Sequence, residues 1–315
     1  MKKKSRGFIA VDILLIIMMI LPLLVSITVK VLTTPKSEGI NVTGARILTP
    51  VYDKLPPPFD LYITEANLNT WMVMISITAL CLFLTHGLKT KAETKRQHAA
   101  EWIVEKCEKL VSDGMGDYFS GFAPFIAAII ALSAFSSLQS LLGLYPPTSD
   151  LNIVGGWAIL VFILITYYKC KCGPLNYLKS FTEPVALLTP MNMISEIATP
   201  ISMAFRHYGN VLSGTVIATL VAAGLQGLSS IIFGALPGVL GEIPFLQFGI
   251  PAILSIYFDI FSGCLQAYIF AMLSMMYISS GFPLEEYEKR KQKKKEKQNR
   301  KIKQKSAKKK FSEVN

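Results

Sequence analysis

The sequence predicts an all-α membrane protein of about six transmembrane helices, the last two long and tilted as a hairpin. Three observations carry that expectation. Of 315 residues, 51% are hydrophobic and 17% charged, whereas a soluble domain carries about a quarter charged residues. The apolar residues gather into runs, several longer than the ~20 residues that cross a bilayer core, and one soluble core has no use for six of them. The basic residues fall in segments that an alternating path places on one side of a membrane, the positive-inside pattern, with both termini cytoplasmic.

The chain opens Met1-Lys2-Lys3-Lys4-Ser5-Arg6 and continues as an apolar run over residues 7–32. A cleaved signal has the same basic opening but an apolar core of only about 7–15 residues, so this run reads as a retained first span. Asp12 reads as an interfacial acid or the partner of a nearby Lys. Residues 34–66, with Pro35, Pro50, Pro56, Pro57 and Pro58, read as an extracytoplasmic loop. A second span covers 68–88. Between Lys89 and Lys109 a basic, amphipathic stretch follows. Trp102, Ile103, Lys106 and Leu110 keep helical spacing there, which suits a helix lying in the inner interface.

The third span covers 118–144 and ends in the turn Tyr145-Pro146-Pro147-Thr148-Ser149-Asp150. The fourth covers 153–168 and is closed by Lys169, Lys171 and Lys179. Two long apolar stretches, 190–234 and 244–281, complete the set. About 40 helical residues run about 60 Å, twice a bilayer core, so such helices must tilt, kink or lie partly in the interface. Pro200 is the expected kink point.

Charge and cysteine usage narrow the classes. Residues 283–315 hold fourteen Lys/Arg and five Glu, so +9 of the net +11 belongs to this tail. A basic tail directly after a span fits topology and anionic lipid better than nucleic acid. The five cysteines, Cys81, Cys107, Cys170, Cys172 and Cys264, give no disulfide framework. Cys170 and Cys172 have no His or carboxylate close by and read as juxtamembrane cysteines rather than a metal site. No metal or cofactor is expected. The absence of a G-x-x-x-x-G-K-[ST] loop argues against ATP chemistry on this chain.

Ionisable residues inside a span are expensive and mark function. The deep ones are Arg206 and Asp259; Glu196 and Glu242 sit nearer ends or loops. Arg206 stays charged and, mid-helix, cannot snorkel easily to either surface. It needs a carboxylate, a water-filled cleft or both. Asn210 at i+4 and Ser213 at i+7 share its face, and Gly209 and Gly214 permit close approach by another helix. Asp259 and Gln266 stand two turns apart on one face of the last span, with Gly263 between them. A buried Arg206–Asp259 pair that only holds two helices together is the structural alternative. His207, about 100° round from Arg206, reads as a polar helix contact rather than a proton relay. Met193, Met203, Met272, Met275 and Met276 read as packing.

These residues also resemble a known family. Asn192 and Glu196, then Pro200-Ile201-Ser202, then Arg206-His207-Tyr208-Gly209-Asn210 follow in order. Leu265-Gln266-Ala267-Tyr268-Ile269-Phe270 lies on the last span, Pro146-Pro147-Thr148-Ser149-Asp150-Leu151-Asn152 in the earlier turn, and Ile63-Thr64-Glu65 before the second span. Together, over about 60–282, they resemble subunit a of the F-type ATP synthase, the proton-channel subunit of its membrane stator.

The resemblance implies that Arg206 is the stator arginine facing a c-ring carboxylate, with Gln266 close to it and Asn210 lining the same path. It implies an ion path that also includes Ser213, Thr215, Glu196 and His207. The family's outer His/acid pair falls on Thr215 and Asp259, so only the acid is present, and His207 or water stands in for its partner. Implied partners are the c-ring, a subunit b stator and membrane lipid, in a bacterial cytoplasmic membrane. On this reading 1–33 is an extra N-terminal span, 34–66 a loop, 67–282 the subunit a-like region and 283–315 a lipid- or partner-facing, disordered cytoplasmic arm.

Three rivals fit the composition. A secondary transporter with a midplane Arg/Asp site would show symmetric repeats and paired broken helices, and no convincing repeat is present. An intramembrane enzyme would need a nucleophile with a base or a metal cluster, and the three histidines, His86, His98 and His207, form no such motif. A pure membrane anchor has no use for a deep Arg206 and Asp259.

Overall fold

A computed structural model describes residues 6–33, 44–52, 61–89, 94–171, 177–178, 181–182, 186–233, 246, 249–282, 284, 287 and 292. Its elements, in chain order, are α1 (Arg6–Thr33), β1 (Ile47–Tyr52), β2 (Leu61–Thr64), α2 (Glu65–Thr85), α3 (Lys95–Met115), α4 (Ala123–Leu138), α5 (Leu151–Lys171), α6 (Thr189–Phe233) and α7 (Ile250–Ser280). Six of these helical stretches are long and apolar enough to cross a membrane, α4 counted with the 3₁₀ turns that flank it. Their outward faces carry large apolar side chains, Ile13, Leu14, Ile17, Leu21 and Leu24 on α1 and Ile159 and Ile163 on α5 among them. Lipid satisfies such faces, and the helices satisfy their own backbones. The chain is a multi-pass, all-α membrane protein.

The boundaries have local causes. Thr64 caps α2, its hydroxyl accepting from the Asn67 amide at 3.3 Å, so this span starts and stops about three residues before the 68–88 expected. Apolarity alone does not see a cap. Thr94 caps α3 in the same way through Gln97, and Gly116 at φ +82° closes it. The helix therefore outlasts Lys109, to Met115. Residues 47–52 and 61–64, expected as loop, pair as a short antiparallel ribbon with register shifts beside Pro50. Proline cannot donate to a ladder, which confines it to edges and bulges. The remainder of 34–66, Cys172, Glu242, the 234–245 connection and nearly all of the basic tail lie outside the described residues.

By internal packing the chain divides into two units, Met1–Ile159 with Pro200–Met275, and Leu160–Thr199 with Met276–Asn315. The α6 helix runs unbroken through Pro200, where the division falls. In the first unit α1 lies along α2, and Ser76 on α2 donates to the Met19 carbonyl at 3.0 Å. At the other end of this pair, Asp12 accepts from Arg96 at 2.9 Å and faces His86 Nδ1 at 2.9 Å. Asp12 was expected at an interface or beside a Lys. The described partners are Arg96 and His86, 84 and 74 residues on. Phe8 stacks on His86 with centroids 4.3 Å apart, and a Cβ on Gly87 (φ +78°) would stand 2.5 Å from the Phe8 ring, so this corner needs glycine.

Candidate functional site

The site is built on α4, α6 and α7. Arg206 points from the exposed face of α6, in line with Ser202, Ser213, Ile217 and Leu220, all exposed. Its guanidinium makes no ion pair or hydrogen bond with any described residue. The structural alternative of a buried Arg206–Asp259 pair is therefore not what this chain forms. Asp259 lies instead next to the Ser140 hydroxyl at the end of α4.

The buried side of α6 carries Met203, Ala204, His207 and Gly214. His207 is fully buried; its Nε2 lies 3.1 Å from the Ser133 hydroxyl. Trp157 and Phe270 meet its ring edge to face, at centroid distances of 6.0 and 5.4 Å. This is the helix contact expected of it, although Nδ1 finds no partner.

Around Asp259 the last helix is not α-helical. Residues Ile256–Ser262 form a π segment between Ile250–Ser255 and Gly263–Ser280. Such segments are short and recur at functional sites. Two contacts hold this one. Asn210 donates to the Ser262 hydroxyl at 2.9 Å, and that hydroxyl faces Asn210 Oδ1 at 3.1 Å. A Cβ on Gly214 would stand 3.0 Å from Phe258. Asn210 thus joins α6 to α7. Gln266 is buried on the face of α7 that also carries Ala267, Phe270 and Ala271, and no hydrogen bond joins it to Arg206.

Ser213 and Thr215 each turn a hydroxyl back to their own helix, to the carbonyls of Asn210 (3.0 Å) and Val211 (3.1 Å). Thr215 also lines a cavity of about 260 Å³. Glu196 belongs to the second unit. Lys169 Nζ meets both its carboxylate oxygens at 2.7 and 2.6 Å, and the Tyr177 hydroxyl lies 3.3 Å away. Burial, with the Glu196 charge beside it, pushes the Tyr177 phenol up to about 12, so it stays a donor. Lys169, Glu196, Thr199 and Tyr277 line a separate cavity of about 140 Å³. Among the described residues no cluster of metal-ligating side chains forms.

Sequence reading missed the partners: Ser133 and Trp157 for His207, Ser140 for Asp259, Ser262 for Asn210, Lys169 and Tyr177 for Glu196. One signal was present. Ser133, Ser136, Ser137 and Ser140 stand at i, i+3, i+4 and i+7, a hydroxyl stripe on one helix face.

The family model described as "ATP synthase A chain" matches residues 68–279, more than half of the chain. The "ATP synthase subunit a" of Bacillus pumilus (strain SAFR-032) is 32% identical over 227 residues, covering 66% of this chain and 89% of that protein. That of Macrococcus caseolyticus (strain JCSC5402) is 31% identical over 226 residues, covering 66% and 88%. The "ATP synthase subunit a 1" of Crocosphaera subtropica is 27% identical over 228 residues, covering 70% and 90%.

Proposed function

The chain belongs to the ATP synthase A chain family, and from that premise we propose that it is the ion-channel subunit of an F-type synthase membrane sector, passing protons through two half-channels against a c-ring. The observation that carries this reading is Arg206, charged, exposed and without a partner among the described residues, on the outward face of a long apolar helix. A lone arginine at mid-bilayer costs about 2.5–3.5 kcal/mol by insertion scales and more in simulation. That cost is offset where another subunit brings a carboxylate to it.

In this reading a proton from outside reaches the hairpin of α6 and α7 through Asp259 and passes to a ring carboxylate. The neutralised carboxyl can enter lipid, whereas the charged one cannot. After nearly a full turn it meets Arg206 from the other side, where the fixed positive charge favours proton release to the inner half-channel. Arg206 also separates the two half-channels. The drive is the membrane potential, about 2.3 kcal/mol per charge per 100 mV, plus the pH gradient. Asn210, paired with Ser262, positions α7 against α6; Gln266 and His207 pack the hairpin; Ser213 lies on the ring-facing side. Subunit b and lipid cover other faces, and the basic tail meets anionic lipid or a cytoplasmic partner. No catalytic site of its own is needed.

Purification from its native membrane should bring with it a ring of small hairpin proteins and a soluble ATPase; a chain that purifies without either is not this subunit. In that complex, Asp259→Asn should slow ATP-driven pumping several-fold. Pumping unchanged across pH would move proton access to another residue.

A further inference from the structure

The cavity that Thr215 lines is walled in part by residues that precede the matched family region. Lys30 of α1, Arg46 just before the ribbon and Glu65 at the start of α2 lie on it, and the other wall is the 140–146 turn with Thr215; the family match begins at residue 68. Three observations give it a polar purpose. Glu65 is 8% exposed, and its Oε1 has no hydrogen-bond partner. A carboxylate does not stay buried with an unused acceptor unless water or a proton meets it. The volume, about 260 Å³, holds several waters. Ser140, on the same wall, stands next to Asp259.

The wall is fixed from both sides. The Lys30 ammonium donates to the Gly143 carbonyl, tying the end of α1 to the turn after α4. The Glu65 amide donates to the Arg46 carbonyl at 2.8 Å. Asn69 donates to the Tyr145 carbonyl at 2.8 Å. The charged groups that share the cavity with Glu65 are Lys30 and Arg46, and the Tyr145 phenol lies on the same wall. Tyr145 lies near Asp150 and Tyr208; burial first, then Asp150, pushes its phenol up to about 12, so it does not compete as an acid.

We propose that residues before 68 help to build the outer vestibule of the ion path, with Glu65 as the carboxylate that takes the proton from outside water and passes it by way of Ser140 to Asp259. A hydronium gives its proton to Glu65 Oε1 and leaves as water. Glu65 then returns it to the hydrogen-bonded chain of cavity water and Ser140, whose hydroxyl accepts one proton and donates another, and the Asp259 carboxylate receives it. Lys30 and Arg46 offset the Glu65 charge in the cavity. The proposal rests on the channel reading above.

The test uses the whole synthase in proteoliposomes, with passive proton flux through the membrane sector driven by a potassium diffusion potential and followed against outer pH. Glu65→Gln keeps the shape and removes the titrating oxygen. Positioned proton-transfer groups contribute about 10²–10⁴-fold, so flux should fall at least about tenfold, and Thr215→Glu, which returns a carboxylate to the same cavity, should restore most of it. Flux unchanged in Glu65→Gln overturns the proposal. So does a loss that Thr215→Glu leaves in place, because Glu65 would then serve packing. The channel reading fails separately, on Arg206: coupled pumping in an Arg206→Ala complex would sink it whatever Glu65 does.

Discussion

Replacing Arg206 with alanine should abolish ATP-driven proton pumping while the subunit remains in the membrane and assembled. The two halves of that expectation have different causes. Stability is spared because the guanidinium is exposed and bonds to no described residue, so its removal leaves no cavity and no orphaned partner. Pumping is lost because, in the proposed mechanism, only a fixed cation both forces the ring carboxyl to release its proton and bars a direct path between the half-channels. A passive leak should accompany the loss. Arg206→Lys keeps the charge but not the planar fork with its five donors, so it should retain little coupled pumping. The measurement is fluorescence quenching in reconstituted vesicles, beside the amount of subunit in the purified complex. If both variants keep coupled pumping, the arginine is structural.

That expectation shows where sequence sufficed and where it did not. Hydropathy runs carry the six spans directly, because a bilayer demands about twenty apolar residues whatever the tertiary context. Arg206, Asn210 and Ser213 share a face by helical spacing alone, and Asn210 does look toward α7. Whether Arg206 is paired within the chain is a question of another kind. Its neighbours in space come from residues far off in sequence, and the same apolar helix is compatible with either answer. Asp12 makes the point at the other end of the protein: its partners His86 and Arg96 lie 74 and 84 residues away. The π segment was equally invisible. Apart from Asp259 and Ser262, Ile256–Ser262 is apolar like any span, and its extra width accompanies contacts made by Phe258 and Ser262 to α6 and by Gly263 to α4, not a local propensity.

Gly263 gives the second large effect, and it is a structural one. A Cβ placed there would stand 2.6 Å from the Ser137 Cβ and 3.0 Å from its hydroxyl. Ser137 is buried on α4 and bonds to its own helix, to the Ser133 carbonyl at 3.2 Å, so the obstructing atom is the base of a short side chain and cannot swing aside. Even Gly263→Ala must push α7 off α4, a cost of about 1–3 kcal/mol for overpacking, and Gly263→Leu should exceed what the hairpin tolerates. Displacement would also disturb the adjoining π segment, where Asn210 meets Ser262. The expected result is that Gly263→Leu is depleted from the membrane or fails to assemble, while Gly263→Ala assembles but melts lower in detergent. Ser137→Gly in the Gly263→Ala background removes the opposing Cβ and should recover most of that loss, a coupling that separates contact from general damage. Wild-type accumulation and melting of Gly263→Leu would mean that α4 and α7 do not approach this closely. Arg206 and Gly263 therefore make opposite predictions from one pair of helices: the exposed charge is expendable for folding and indispensable for pumping, and the buried glycine acts on pumping only by way of the fold.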